Sequence, residues 1–170
     1  MGVRRQAREA ALQALFMLDF RSDWEIDPVV LCFDHFSVSQ AAKPYAQSLV
    51  EGVKQNLSKI DSQITRASEH WSINRMSRVD RSILRLATFE ISFLDEIPAN
   101  VAINEAIEVA KRFGADESPL FVNGVLDKVA SSLRRSIEVE KTSKKKSASK
   151  VSDEEVSPTA ASDDDELLAS

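Results

Sequence analysis

Residues 98–130, PANVAINEAIEVAKRFGADESPLFVNGVLDKVA, constrain the chain more than any other stretch, because their punctuation fits two helices joined by a short link. Pro98 stops the preceding segment, and Asn100 is suited to cap a helix beginning near Val101. Val101, Ile103, Ala106, Ile107, Ala110 and Phe113 then recur at the spacing of one buried helical face. Gly114 stands where a left-handed residue commonly closes a helix, just after Lys111 and Arg112, whose charges suit the negative helix end. Ser118 followed by Pro119 is the order of a helix start. Phe121, Val122, Val125, Leu126, Val129 and Leu133 form the second apolar stripe.

Three residues of this hairpin break local rules. A glycine inside a helix costs about 1 kcal/mol relative to alanine, so Gly124 is expected to let another helix come close. Asn104 and Asn123 lie beside apolar positions and are placed to hydrogen-bond across the hairpin, since a buried unpaired amide costs roughly 1–3 kcal/mol. Packing and register account for all three without a functional role.

The rest of the chain continues the helical pattern. A first helix starting at residue 4 or 5 and ending near 20 places Ala7, Ala11, Ala14, Leu15 and Leu18 on one face. Asp27 and Pro28 open a short second helix with Val30, Leu31 and Phe33. Pro44 begins a third with Ala46, Leu49, Val50, Val53 and Leu57. Ser58 and Asp61 have capping-box spacing, which predicts a fourth helix to about residue 69. Residues 71–76 read as a connection between two halves. Ser77 and Asp80 repeat the capping-box spacing before a fifth helix that reaches about residue 94, with Ile83, Leu84, Ala87, Ile91 and Leu94 inward. The hairpin supplies the sixth and seventh. No period-2 strand signal occurs, so the fold class is all-α.

Composition divides the chain at about residue 137. The first 137 residues carry 17 Lys and Arg against 18 Asp and Glu; the last 33 carry 5 against 9, so the net charge of −5 describes the tail more than the body. Residues 138–170 are rich in serine, alanine and charge and hold no aromatic residue, so they are expected to be disordered. One cysteine excludes an intramolecular disulfide, no apolar run is long enough to span a membrane, and the basic N-terminus leads into an amphipathic helix rather than a signal peptide. A reducing cytoplasm is the default location.

Enzymatic signatures are missing from the sequence. His35 and His70 have no metal-ligand pattern around them, and Cys32 with His35 offers at most half a site. Glu105 and Glu108 read as a solvated helix face rather than an acid/base pair. There is no phosphate-cradling glycine loop and no nucleophile elbow. No catalytic residue, metal or cofactor is assigned.

Two basic stripes carry the binding signal. Arg4, Arg5 and Arg8 crowd the start of the first helix, where cations oppose the macrodipole and phosphates offset that penalty. Arg4 and Arg8 are i, i+4 neighbours and are expected to face one partner. Arg78, Arg81 and Arg85 line the fifth helix, read either as inter-helix salt bridges or as a protein interface.

RRQAREAALQAL, VDRSILRLATFE, AINEAIEVAKRFG and FVNGVLDK, in this order and spacing, resemble the NusB family of bacterial transcription antitermination factors. The resemblance spans residues 4–130. It implies about seven helices in two packed bundles, at about 4–70 and 77–135, within an RNA-binding domain of residues 1–137. It further implies binding to the boxA element of rRNA leader transcripts, together with the ribosomal protein NusE, and action on the elongating RNA polymerase with other Nus factors, without catalysis. By position, Arg4, Arg5 and Arg8 match the family's arginine-rich RNA-binding segment, with Gln6 in place of one arginine. Glu117 and Phe121 match positions bordering the RNA, where Phe121 either stacks on a base or packs in the core. Asp80, with Arg81 beside it, matches the side facing the ribosomal partner. The acidic tail has no counterpart in the family's common core. Rival readings are an RNA-binding module detached from an rRNA cytosine methyltransferase, and a helical protein adaptor that never touches RNA.

Overall fold

A computed structural model describes residues 2–22, 24, 25, 33, 37–69 and 71–151, the last seven as backbone only. The elements are α1 (Val3–Arg21), α2 (Lys43–Ala67), a 3-10 turn (Ile73–Arg75), α3 (Arg78–Phe93), α4 (Ala99–Phe113) and α5 (Ser118–Val151). All regular structure among the described residues is helical. The predicted helix at 27–33 lies outside them except for Phe33, which is buried.

The chain divides into two units, Met1–Leu133 and Arg134–Ser170. In the first, α3 is the central helix and packs on α1, α2 and α4, while α1 packs on both α2 and α3. The two bundles expected on either side of residues 71–76 are thereby joined in one compact unit. Ala7, Ala11 and Ala14 are fully buried on α1, and their small side chains let the neighbouring backbones approach. Ile83, Leu84 and Ala87 of α3, Ala106, Val109 and Ala110 of α4, and Val122, Leu126 and Val129 of α5 belong to the same core.

One 25-residue helix, α2, replaces the two helices expected between 44 and 69. Pro44 sits in its first turn as expected, but Ser58 and Asp61 do not restart it. The apolar stripe runs unbroken through Val53, Ile60 and Ile64, all fully buried, so continuing the helix buries more than breaking it. Asp61 accepts hydrogen bonds from Arg85 instead of capping.

The glycines correct the sequence reading. Gly124 is exposed, and a Cβ there would meet nothing within 4 Å. The close helix contact is at Gly52, where a Cβ would stand 2.0 Å from Cζ of Phe89 on α3. Gly114 is extended, with φ −88° and ψ −178°, not left-handed; its N–H closes α4 on the Ala110 carbonyl. Asn104 is exposed, and no hydrogen bond joins it to Asn123 among the described residues. Helix α4 starts at Ala99 with Pro98 before it, so Asn100 is not its cap, and Ser118 Oγ accepts from the Ala115 N–H in the link.

In the second unit the helical backbone continues to Val151. Every residue from Arg134 to Lys144 is exposed, including Ile137 and Val139. Residues 138–151 differ from the expected disorder in their helical backbone, while 138–144 bury nothing; residues 152–170 lie outside the described residues.

Candidate nucleic-acid interface

The three N-terminal arginines occupy three different environments. Arg4 is exposed, with its guanidinium carbon 5.6 Å from the centroid of the Tyr45 ring on α2. Arg5 grips Glu105 of α4 with two hydrogen bonds, at 3.0 and 2.8 Å, and keeps 40% of its side chain exposed. Arg8 departs from expectation. It is 4% exposed and donates through Nε to both carboxylate oxygens of Glu90 on α3, at 2.9 and 3.1 Å. Arg4 and Arg8 do share a helix face, but that face turns onto Tyr45, with Arg8 at 5.8 Å from the ring centroid.

Glu90 is 1% exposed and also accepts from the Tyr45 hydroxyl at 2.5 Å. Burial pushes the Glu90 carboxyl above its ordinary value, against the pull of Arg8 and Tyr45. Burial and the Glu90 bond raise the Tyr45 phenol. Glu105 moves the other way: its hydrogen bond from Arg5 holds it below the usual carboxylate range despite partial burial. Glu105 and Glu108 are thus ion-pair partners, of Arg5 and Lys111 respectively, not an acid/base couple. Arg4 is left as the outward-facing cation of this segment, on an aromatic support.

The second basic stripe folds back on the chain. Arg85 donates to Asp61 with two bonds of 2.8 Å and to Asp19 at 2.8 Å. Arg81 donates to Asp19 at 2.5 Å and to the Ile73 carbonyl at 3.0 Å. Arg78 lies 3.8 Å from Asp19 and over the ring of Phe20. Burial alone would raise the Asp19 carboxyl, but the bonds from Arg81 and Arg85 hold it below its ordinary value. Arg81, expected at a partner interface, is therefore an internal strut, with 12% of its side chain exposed.

Asp80 comes together with Glu117 and Phe121. A cleft of about 350 Å³ is lined by Trp71, Arg75, Met76, Asp80, Glu117 and Phe121, with Ser77, Ala115 and Ser118 completing its wall. Ser77 Oγ accepts from the Asp80 backbone N–H at 3.0 Å, one half of the predicted capping box. The other half does not form: Asp80 Oδ1 is buried with no partner among the described residues. Glu117 is exposed and Phe121 half-buried against the core, so both readings of Phe121 meet in one residue. Trp71 is 52% exposed with Arg75 over its ring. The cleft thus joins an aromatic face, a cation and two carboxylates within one concavity.

Sequence reasoning missed Trp71, Arg75, Tyr45 and Glu90, and also an apolar groove. Leu12, Gln13, Phe16, Met17, Val79 and Phe113 line about 350 Å³ between α1, α3 and α4. Phe20, stacked on Phe16, is 63% exposed near it. Among the described residues no group of His, Cys, Asp and Glu is arranged to hold a metal ion, and no helix is long and apolar enough to cross a membrane. Cys32, His35 and His70 lie outside the described residues.

Fold and site together give a chain that is helical throughout its described residues, with a cationic helix start and an aromatic cleft. The chain matches the NusB family over residues 5–131. It is 49% identical over 134 residues to the transcription antitermination protein NusB of Geobacter sulfurreducens, covering 78% of this chain and 97% of that one. Identity is also 49%, over 135 residues, to the protein of the same name from Desulfotalea psychrophila, with 76% and 96% covered. Among solved structures it is similar to T. maritima NusB, with a TM-score of 0.68 at 45% identity over 75% of this chain and 90% of that chain. It is also similar to a chain in a crystal structure of the antitermination factors NusB and NusE in complex with dsRNA, with a TM-score of 0.68 at 28% identity over 78% and 98%. This chain belongs to the NusB family.

Proposed function

We propose that this chain is a transcription antitermination factor that binds boxA-type RNA together with a NusE-type ribosomal protein, and that the assembly acts on the elongating RNA polymerase with other Nus factors. The observation that carries the reading is the match along 96–97% of the length of the two antitermination proteins named above, joined to the likeness to a NusB chain held with NusE and RNA. The protein acts by binding, without catalysis, in the cytoplasm, and residues 1–137 are its RNA-binding part.

On this reading Arg4 and Arg5 meet RNA phosphates, while Arg8 holds the helix start in place from inside. Glu117 and Phe121 take an unpaired base in the cleft, with Phe121 stacking at about 1–3 kcal/mol per base. Asp80 faces the basic ribosomal protein, and the adjoining Val79 leads into the apolar groove with Phe16. A charged rim beside an apolar groove suits a protein partner. Arg81 acts there through Asp19, not by contact.

The test is RNA binding measured with and without the ribosomal protein, using a boxA-like RNA and a scrambled control. The reading predicts preference for the boxA-like RNA, strengthened by the partner. Equal weak binding to both RNAs, unchanged by the partner, would leave a helical adaptor as the better description.

A further inference from the structure

The family match ends at residue 131, yet the helical backbone of α5 runs to Val151. Residues 134–151 carry seven basic residues against two acidic ones; residues 152–170 carry seven acidic residues and no basic one. Arg134 to Lys144 are exposed throughout. A helical arm with a net charge of +5 is therefore followed at once by a segment of −7. Lysines near a helix C-terminus suit the macrodipole, but that effect acts only over the last turn. It does not account for Arg134 and Lys141. Nor does the arm hold the aromatic or apolar face that a folded protein partner would need, since Ile137 and Val139 are its lone large apolar residues between 134 and 144.

We propose that residues 134–151 form a sequence-independent arm for the phosphate backbone of single-stranded RNA, and that the acidic segment after it opposes the RNA's approach. The occupant follows from charge: a regular polyanion is matched by repeated cations without a shaped pocket. The proposal rests on the RNA-binding reading above and adds to it a contact outside the family's matched region. The arm raises affinity for any RNA, leaving selection to residues of the first unit. The acidic segment lowers that non-selective term for every RNA alike.

The test uses the full chain and labelled single-stranded RNAs, one boxA-like and one scrambled, titrated across a salt series. Replacing Lys141, Lys144, Lys145 and Lys146 with glutamine should weaken both RNAs by the same factor. It should flatten the plot of log affinity against log salt by about 0.7 for each phosphate no longer neutralised. Arginine at the same four positions should keep wild-type affinity, and this variant separates charge from helix damage. Replacing Asp163, Asp164 and Asp165 with asparagine and Glu166 with glutamine should tighten both RNAs equally. Unchanged affinity and slope in the glutamine variant overturns the proposal, as does a loss confined to the boxA-like RNA. Lysine-dependent capture on phosphatidylserine vesicles with RNA affinity unchanged would reassign the arm to a lipid surface and also overturn it. A wild-type chain that binds neither RNA fails at the first step, and that result is the failure of the RNA-binding reading itself.

Discussion

Arg8 of α1 and Glu90 of α3 form a buried ion pair, 4% and 1% exposed, closed by two hydrogen bonds from one guanidinium nitrogen. Removing Arg8 strands the Glu90 carboxylate in the core, and removing Glu90 leaves Arg8 only Glu105, 3.5 Å away. Arg8→Ala or Glu90→Ala is expected to cost about 3–5 kcal/mol of stability, because an unpaired buried ion cannot be resolvated there. The double variant should cost less than the two single losses combined, since neither charge is then left alone. Chemical denaturation of the three variants checks this; additive losses would show that the pair is not coupled.

Arg4 and Tyr45 make the complementary prediction at the surface. Arg4→Ala should leave stability nearly unchanged, weaken RNA binding, and flatten its salt slope by roughly 0.7, the signature of one fewer phosphate neutralised on a single strand. Tyr45→Leu removes the ring under the guanidinium and should reduce RNA affinity in a way that does not add to Arg4→Ala. Binding isotherms for the two single variants and the double variant decide it, and independent losses would dissociate Tyr45 from the positioning of Arg4.

How much of this was legible depended on whether the determining contact lay along one helix or between two. The hairpin stripes, the Pro44 start and the Ser77 cap are local, and the structure keeps them except at Val101, which is 41% exposed. Arg8 was readable but misread. It stands three residues from Ala11 and seven from Leu15, both buried, which is core spacing. Glu90 stands likewise at three from Ala87 and seven from Ile83. Opposite charges at core spacing on two helices point to a buried pair, while a count of arginines at a helix start points to RNA. Gly124 lies two residues from both Val122 and Leu126, on the opposite side of the helix from the core, so its exposure was also available. Asp19 as the meeting point of Arg81 and Arg85 was not, because nothing local says which acid a distant helix will present.

Gly52 and Gly124 should respond to alanine with opposite signs. At Gly52 the new methyl collides with the buried Phe89 ring, and overpacking of this kind costs about 1–3 kcal/mol. At Gly124 there is open space in a helix, so alanine should stabilise by up to ~1 kcal/mol. Melting temperatures of the two variants provide the comparison, and a loss at Gly124 would mean that this position faces a neighbour after all.

Acid should loosen the fold through Asp19 and Glu105. Both carboxyls lie below their ordinary values when folded, so their contribution is present above the ordinary carboxylate range and is lost as pH falls through their lowered folded values. Glu90 has the opposite sign, since its carboxyl is raised and its protonation at low pH favours the folded state. The stability gap between wild type and Asp19→Asn should therefore be widest near neutrality and shrink on acidification. A gap independent of pH would show that Asp19 does not act through its charge.

Asp80 separates capping from recognition. Its backbone N–H, not its carboxylate, meets Ser77, so Asp80→Lys should keep the cap and most of the stability. If the carboxylate faces a basic partner, reversal slows association and changes its salt dependence. Calorimetry against the ribosomal protein at low salt, with melting curves alongside, distinguishes the two roles; equal partner affinity would assign the residue to the helix start alone.

Antitermination by this chain is tested most directly in transcription itself. RNA polymerase reading a template with a boxA-like leader ahead of a terminator, supplied with the ribosomal partner and the other Nus factors, should yield more read-through when this chain is added. The gain should fall with Arg4→Ala and disappear when the leader is scrambled. Read-through that is unchanged by the chain, or raised equally on the scrambled leader, would contradict a boxA-directed antitermination factor.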